Sequence, residues 1–208
     1  MKTIDVKTWT GRSLFEQFGG LDIPFFSVTT QHDVTRLLRL SESRKIAFFS
    51  LCLYAVTRAV NRVEAFRFRA LAGGEVVLHD RIDAVYLALR ADRAITAVRV
   101  PYAEDFETFR EARREAERAA LAKKRPEFYD GPERDVIYVS CMPWLAFTSG
   151  SHPCSLGRDY DSIPRITFGK YDRQETRTTM PFDVHSHHGF VDGFRLGELL
   201  REFDGAPV

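Results

Sequence analysis

Near the C-terminus, His187-His188-Gly189-Phe190-Val191-Asp192-Gly193 places two histidines and an aspartate at a spacing suited to acid–base chemistry. An imidazole with an ordinary pKa of about 6.5 can take a proton and return it near neutral pH. The aspartate can orient the loop, cap a following helix or pair with an arginine, and Gly193 lets the chain turn there. Adjacent side chains on an extended segment point to opposite faces, so only one of His187 and His188 can serve a given site. The spacing fits a general base, and it fits surface or satisfied core histidines equally well. A third reading, a metal pair formed by His185 and His187 at i, i+2, ranks low because no set of Cys, Asp or Glu completes a ligand shell.

Other candidates carry less. Ser140, in Val139-Ser140-Cys141-Met142-Pro143-Trp144, lacks the Gly-x-Ser-x-Gly elbow of a nucleophile. It reads as a turn hydroxyl or as a donor to a developing oxyanion. Lys123-Lys124-Arg125 reads as a solvated helix end favoured by the helix dipole. No glycine-rich phosphate loop is present, which argues against nucleotide hydrolysis and dinucleotide binding.

These residues need a scaffold, and the pattern predicts one. A short apolar helical patch runs over Leu14, Phe15 and Phe18, followed by a strand over Phe25–Thr30. His32-Asp33 precedes a helix over Val34–Leu40, and Ile46–Val63, apolar on nearly every face, reads as a buried helix. Phe66–Ala70 and Glu75–His79 flank Gly73-Gly74 as a hairpin. Strands are expected at Ala84–Leu89, Ala94–Val100, Val136–Cys141, Ile163–Lys170 and Thr178–His185, with a surface helix over Glu104–Leu121 and a last helix over Asp192–Phe203. Mixed helices and strands predict an α/β two-layer sandwich with a large mixed sheet, in a single domain over residues 1–208. Thirty basic residues against twenty-nine acidic ones leave a net charge of +1, which gives no footprint for nucleic acid or an acidic membrane. The absence of a leader-like start and three cysteines without metal spacing predict a reduced, cytoplasmic protein.

The sequence resembles the chloramphenicol acetyltransferase family, whose hallmark His-His-x-x-x-Asp-Gly-[Phe/Tyr] reads here as His187-His188-Gly189-Phe190-Val191-Asp192-Gly193-Phe194. Further landmarks follow in order: Ile4-Asp5-Val6 with Trp9 and Phe15, Phe66-Arg67 with Gly73-Gly74-Glu75, Pro101-Tyr102, Ser140 with Pro143-Trp144, and Ile166-Thr167-Phe168-Gly169-Lys170-Tyr171. The His-x3-Asp-Gly part is shared with the acyltransferase domains of 2-oxo-acid dehydrogenase complexes. The Pro-Trp and Thr-x-x-Lys-Tyr segments favour the chloramphenicol branch.

The resemblance implies a CoA-dependent acyltransferase fold and direct acetyl transfer from acetyl-CoA to a small-molecule hydroxyl, with no metal. It implies His188 as base, Ser140 as oxyanion donor, Thr167 as holder of a water beside the intermediate, Asp192 as structural aspartate and Lys170 in the coenzyme A channel. It also implies a homotrimer with sites between subunits. Phe18, Phe25, Phe26 and Ile95 are expected around the acceptor. Two departures stand out. The family's N-terminal arginine is Gly11 here, with Arg12 next to it as a possible substitute. An aromatic expected on the strand before Pro101 is absent from Arg90–Ala97. Two rival readings follow: an acyltransferase for another acceptor (dihydrolipoyl or a small alcohol), and a catalytically silent trimeric binding protein.

Overall fold

The computed structural model describes residues 1–129, 134–154 and 161–208. Ten strands and five helices run in the order β1 (Lys2–Ile4), α1 (Arg12–Gly19), β2 (Phe25–Asp33), α2 (Thr35–Arg44), α3 (Phe48–Arg62), β3 (Phe68–Ala70), β4 (Val76–Leu78), β5 (Asp83–Leu89), β6 (Ile95–Val100), α4 (Phe106–Ala122), β7 (Val136–Cys141), β8 (Arg165–Phe168), β9 (Asp172–Arg173), β10 (Thr178–His187) and α5 (Gly193–Asp204). The main sheet has the order β2-β10-β8-β7-β5-β6, with β9 also on β10, and β1-β4-β3 form a small second sheet. The β7–β5 and β7–β8 pairs are parallel and the others antiparallel. This is the large mixed sheet expected from the sequence.

The helices form the second layer. In α3 the run Ser50–Thr57 is buried on every side, as its unbroken apolar character requires. Leu196, Leu199 and Phe203 of α5 and Phe106 and Phe109 of α4 face the same core. The hairpin forms as expected, with Gly73 (φ 87°) and Gly74 (φ 84°) in the left-handed region that side chains disfavour. Asp105 caps α4 by accepting from the Thr108 N–H at 2.8 Å, so that helix starts two residues later than its charge pattern suggests. The strand expected over Ile163–Lys170 narrows to Arg165–Phe168. Pro164 brings no N–H to a ladder, and at Gly169 the chain passes so close to Leu145 and Pro181 that a Cβ would lie 2.8 Å from each. Among the described residues, no helix is long and apolar enough to cross a membrane.

β10 positions most of the chemistry. It lies between β2 and β8 and is buried almost throughout. Side chains alternate along it. Phe182 packs on Phe203 of α5, so Phe182, Val184 and Ser186 face the helices. Asp183, His185 and His187 face the other side, opposite Thr29, Ser27 and Phe25 of β2.

Candidate active site

His188 sits just past the end of β10, where its backbone N–H donates to the Pro24 carbonyl at 2.7 Å. Its ring lies between Phe18 of α1 and Phe26 of β2, with ring centroids 4.0 and 4.6 Å away. Its Nδ1 is 2.9 Å from the Val191 carbonyl oxygen. A carbonyl only accepts, so Nδ1 carries a proton and donates; in the neutral ring the lone pair then lies on Nε2. The ring is half-buried. A neutral imidazole with one nitrogen anchored to the backbone and the other open is what a general base requires.

His187 has a different role. Its ring is packed among Phe15, Phe25 and Phe190 and is 1% exposed. Its Nδ1 accepts from the Gly189 N–H at 3.1 Å. Burial, with help from neighbouring His188, pushes its pKa down to about 4. It is a neutral spacer in the core, as alternation predicts for one histidine of the pair. The Phe25 ring lies against both His185 and His187, 5.1 and 5.6 Å from their rings. Among the described residues, no cluster of three His, Cys, Asp or Glu side chains could hold a metal ion.

Asp192 caps α5, accepting from the Arg195 N–H at 2.8 Å. Arg12 does not reach it. The Arg12 guanidinium bonds Glu16 at 2.8 Å and the Lys7 carbonyl at 3.4 Å, so the expected substitute for the family arginine points elsewhere. Gly11 cannot carry a side chain either, since a Cβ there would fall 2.3 Å from the Trp9 ring. That ring packs against Phe15, Phe68 and Phe190. Its packing fills the space an arginine at this position would need, and the carboxylate is left to the helix N-terminus.

Ser140 and Thr167 form a second group. They are register partners on β7 and β8, and Thr167 is opposite Asp183 of β10. His188 lies five residues beyond Asp183, about 16 Å at roughly 3.3 Å per residue, and its ring is on the helix side of the sheet. One chain therefore does not bring His188 to Ser140 and Thr167. The acceptor candidates divide likewise. Phe18 and Phe26 clasp His188, and Phe25 stacks on His185 and His187. Ile95, 42% exposed, begins β6 at the opposite edge of the sheet. Lys170 is exposed just after β8, its N–H on the Leu145 carbonyl at 2.7 Å.

Sequence reasoning passed over one set of polar groups. The Asp183 carboxylate accepts from Thr29 Oγ1 at 2.8 Å, with His152 Nε2 3.3 Å away. His185 bridges Ser27 Oγ (2.8 Å) and Cys154 Sγ (3.1 Å). Burial, then His152 and Arg165, push the His185 pKa down to about 4. The available signal was the i, i+2, i+4 alternation of Asp183, His185 and His187 with Ser27 and Thr29 on another strand. His152 lies in a segment without regular structure and gave no signal.

A protein-family model described as chloramphenicol acetyltransferase matches residues 1–204. A chloramphenicol acetyltransferase of Klebsiella sp is 27% identical over 201 residues, covering 96% of this chain and 90% of the relative. One from Proteus mirabilis is 28% identical over 203 residues, covering 96% and 91%. A solved chloramphenicol acetyltransferase superposes with a TM-score of 0.88 at 28% identity, covering 98% of each chain. A dihydrolipoamide acetyltransferase of Azotobacter vinelandii shares the fold, with a TM-score of 0.64 at 16% identity over 93% of this chain and 85% of that one.

Proposed function

The chain belongs to the chloramphenicol acetyltransferase family, and we propose that it moves the acetyl group of acetyl-CoA directly to a hydroxyl of chloramphenicol or a similar small molecule. His188 is the general base. Its Nε2 lone pair takes the hydroxyl proton as the acceptor oxygen attacks the thioester carbon. The tetrahedral oxyanion accepts a hydrogen bond from the Ser140 hydroxyl, and Thr167 holds a water beside it. Collapse breaks the carbon–sulfur bond. The coenzyme A thiolate leaves with the proton held on His188, giving the acetyl ester and free thiol. Lys170 lies along the coenzyme A path.

The observation that carries this reading is the His188 ring, aromatic on both sides, with Nδ1 tied to the Val191 carbonyl and Nε2 open. The separation of His188 from Ser140 and Thr167 supports a homotrimer in which one subunit supplies the base and its neighbour the oxyanion donor. Asp192 acts here through the cap of α5, which fixes the turn behind His188.

The test is free-thiol release from acetyl-CoA with chloramphenicol present, for the wild type and for His188→Ala. We expect acceptor-dependent release, lowered by about a hundred- to ten-thousand-fold in the variant, with an unchanged circular dichroism spectrum. Full turnover in the variant removes His188 as the base.

A further inference from the structure

A cavity of about 770 Å³ opens between the N-terminal segment, the end of α3 and α5. None of His188, Ser140, Thr167 and Lys170 lines it. Its apolar wall is made by Trp9, Leu14, Val63, Phe68 and Phe190. Three of those rings hold one another in place: Trp9 is 4.8 Å from Phe68 and 6.0 Å from Phe190, and Phe68 is 5.8 Å from Phe190, centroid to centroid. A concave site of this size, with packed aromatic walls and fixed polar groups at its rim, has the dimensions of a small-molecule pocket. It also touches the turn behind the base. Phe190 and Asp192 line it, and Val191 between them carries the carbonyl that anchors His188.

The rim carries both signs of charge, and most of those charges are already paired. Arg62 bonds Glu104, Arg195 bonds Glu198 at 2.8 Å, and Arg58 holds Glu202 at 3.2 Å. The Arg195 guanidinium also lies over the Phe194 ring, 5.4 Å from its centroid. Among the described residues, Asp192, Glu64 and Arg201 make no ion pair. Arg201 lies back along its own helix, with Nη1 3.9 Å from where a Cβ on Gly197 would sit. Gly197 is five residues beyond Asp192, about 7.5 Å along the helix axis, so that cation does not cover Asp192. One oxygen of Asp192, Oδ1, accepts the Arg195 N–H. Among the described residues, nothing bonds the other. The cavity thus sets a carboxylate with an uncommitted oxygen, and a second carboxylate on Glu64, beside an aromatic wall. A guanidinium group suits this pairing. It is planar and weakly hydrated, stacks on rings, and offers a fork of N–H donors to a carboxylate.

We propose that this cavity is a binding site for a small guanidinium-bearing molecule, with Asp192 as its counter-ion and Trp9, Phe68 and Phe190 as its apolar wall. The site is separate from the one that transfers acetyl groups, and a ligand there bears on the turn that holds His188. Trp9 supplies an optical readout, and Trp144→Phe removes the other tryptophan, which is 75% exposed. The probes are ethylguanidinium, the neutral planar N-ethylurea and the compact cation ethylammonium. Each is titrated into the full-length protein and followed by Trp9 fluorescence and by calorimetry. We expect saturable binding of ethylguanidinium with a Kd of about a millimolar, the range open to so small a ligand. N-ethylurea and ethylammonium should each bind at least about tenfold more weakly, the worth of one charge-assisted hydrogen bond. Asp192→Asn, which keeps a capping oxygen and loses the charge, should weaken ethylguanidinium by about tenfold or more. Glu64→Gln, on an exposed residue, should weaken it less. The N-ethylurea arm tests the role of charge without altering Asp192. The proposal is overturned by no saturable change at ten times the expected constant, by equal binding of N-ethylurea or ethylammonium, or by unchanged affinity in a folded Asp192→Asn.

Discussion

The two stretches of β10 that carry histidines make different environments from one strand. At its end, His188 is enclosed by phenylalanines and anchored to a backbone carbonyl. A few residues earlier, Asp183 and His185 are enclosed by Thr29, Ser27, Cys154 and His152. The aromatic end orients one ring and places no fixed charge against it. The polar stretch buries a carboxylate between a threonine hydroxyl and a histidine ring. Chemistry that needs a base with a free lone pair suits the first.

The sharpest way to break this comparison is to damage one half in each of two chains. His188→Ala and Ser140→Ala should each lower kcat by about a hundredfold or more. If the halves meet only between subunits, mixing the two variants in equal amounts under conditions that reassemble trimers regenerates some intact sites. Random mixing places at least one chain of each kind in three-quarters of the trimers, each with one intact site in three, so about a quarter of wild-type activity returns. No recovery after verified exchange would place the whole site within one chain and dissolve the two-half description.

A smaller effect separates the halves by pH. His187 and His185 each have a folded pKa near 4 against an ordinary value of 6.5. Above about 6.5 both states leave the rings neutral and the full stability is present. As pH falls toward 4, the unfolded chain binds protons that the folded chain refuses, so stability declines across that window, by at most about 3 kcal/mol per ring. Urea midpoints at several pH values in this window should fall, and His187→Asn should flatten the slope. An equally steep decline in that variant would move the acid sensitivity away from the aromatic end.

Much of this was legible in the sequence. The His-His-x-x-x-Asp-Gly run, the alternation along β10 and the apolar α3 each follow from local pattern, because helical and strand periods leave their mark on residue order. Strand alternation also requires that the two adjacent histidines face different surroundings, although it does not say which one is the base. Three things were not legible. Arg12 pairs with Glu16, and Trp9 occupies the space over Gly11, a contact set by ring packing with Phe68 and Phe190, far away in sequence. The distance between His188 and Ser140 depends on strand register, which no short motif contains. His152 joins Asp183 across 31 residues from an irregular segment, a contact that only the fold creates.

The smallest expected effect concerns Asp192, in the turn behind His188. Among the described residues no arginine pairs with it, and its contact within one chain is the cap on α5. Asp192→Ala should then cost about 1 kcal/mol, the usual loss for a helix N-cap, and Asp192→Asn, which keeps a capping oxygen, should cost a few tenths by the same measure. A buried ion pair behaves otherwise: removing one partner costs roughly 3–5 kcal/mol, and a neutral amide is a poor replacement for the charge. Thermal melts of the two variants therefore separate a cap from an ion pair. If Asp192→Asn destabilises as much as Asp192→Ala, the charge matters after all and a cation must reach this carboxylate in the assembled protein. If it does not, the turn that carries His188 is held by capping geometry alone, and the aromatic end of β10 has no dependence on a buried charge.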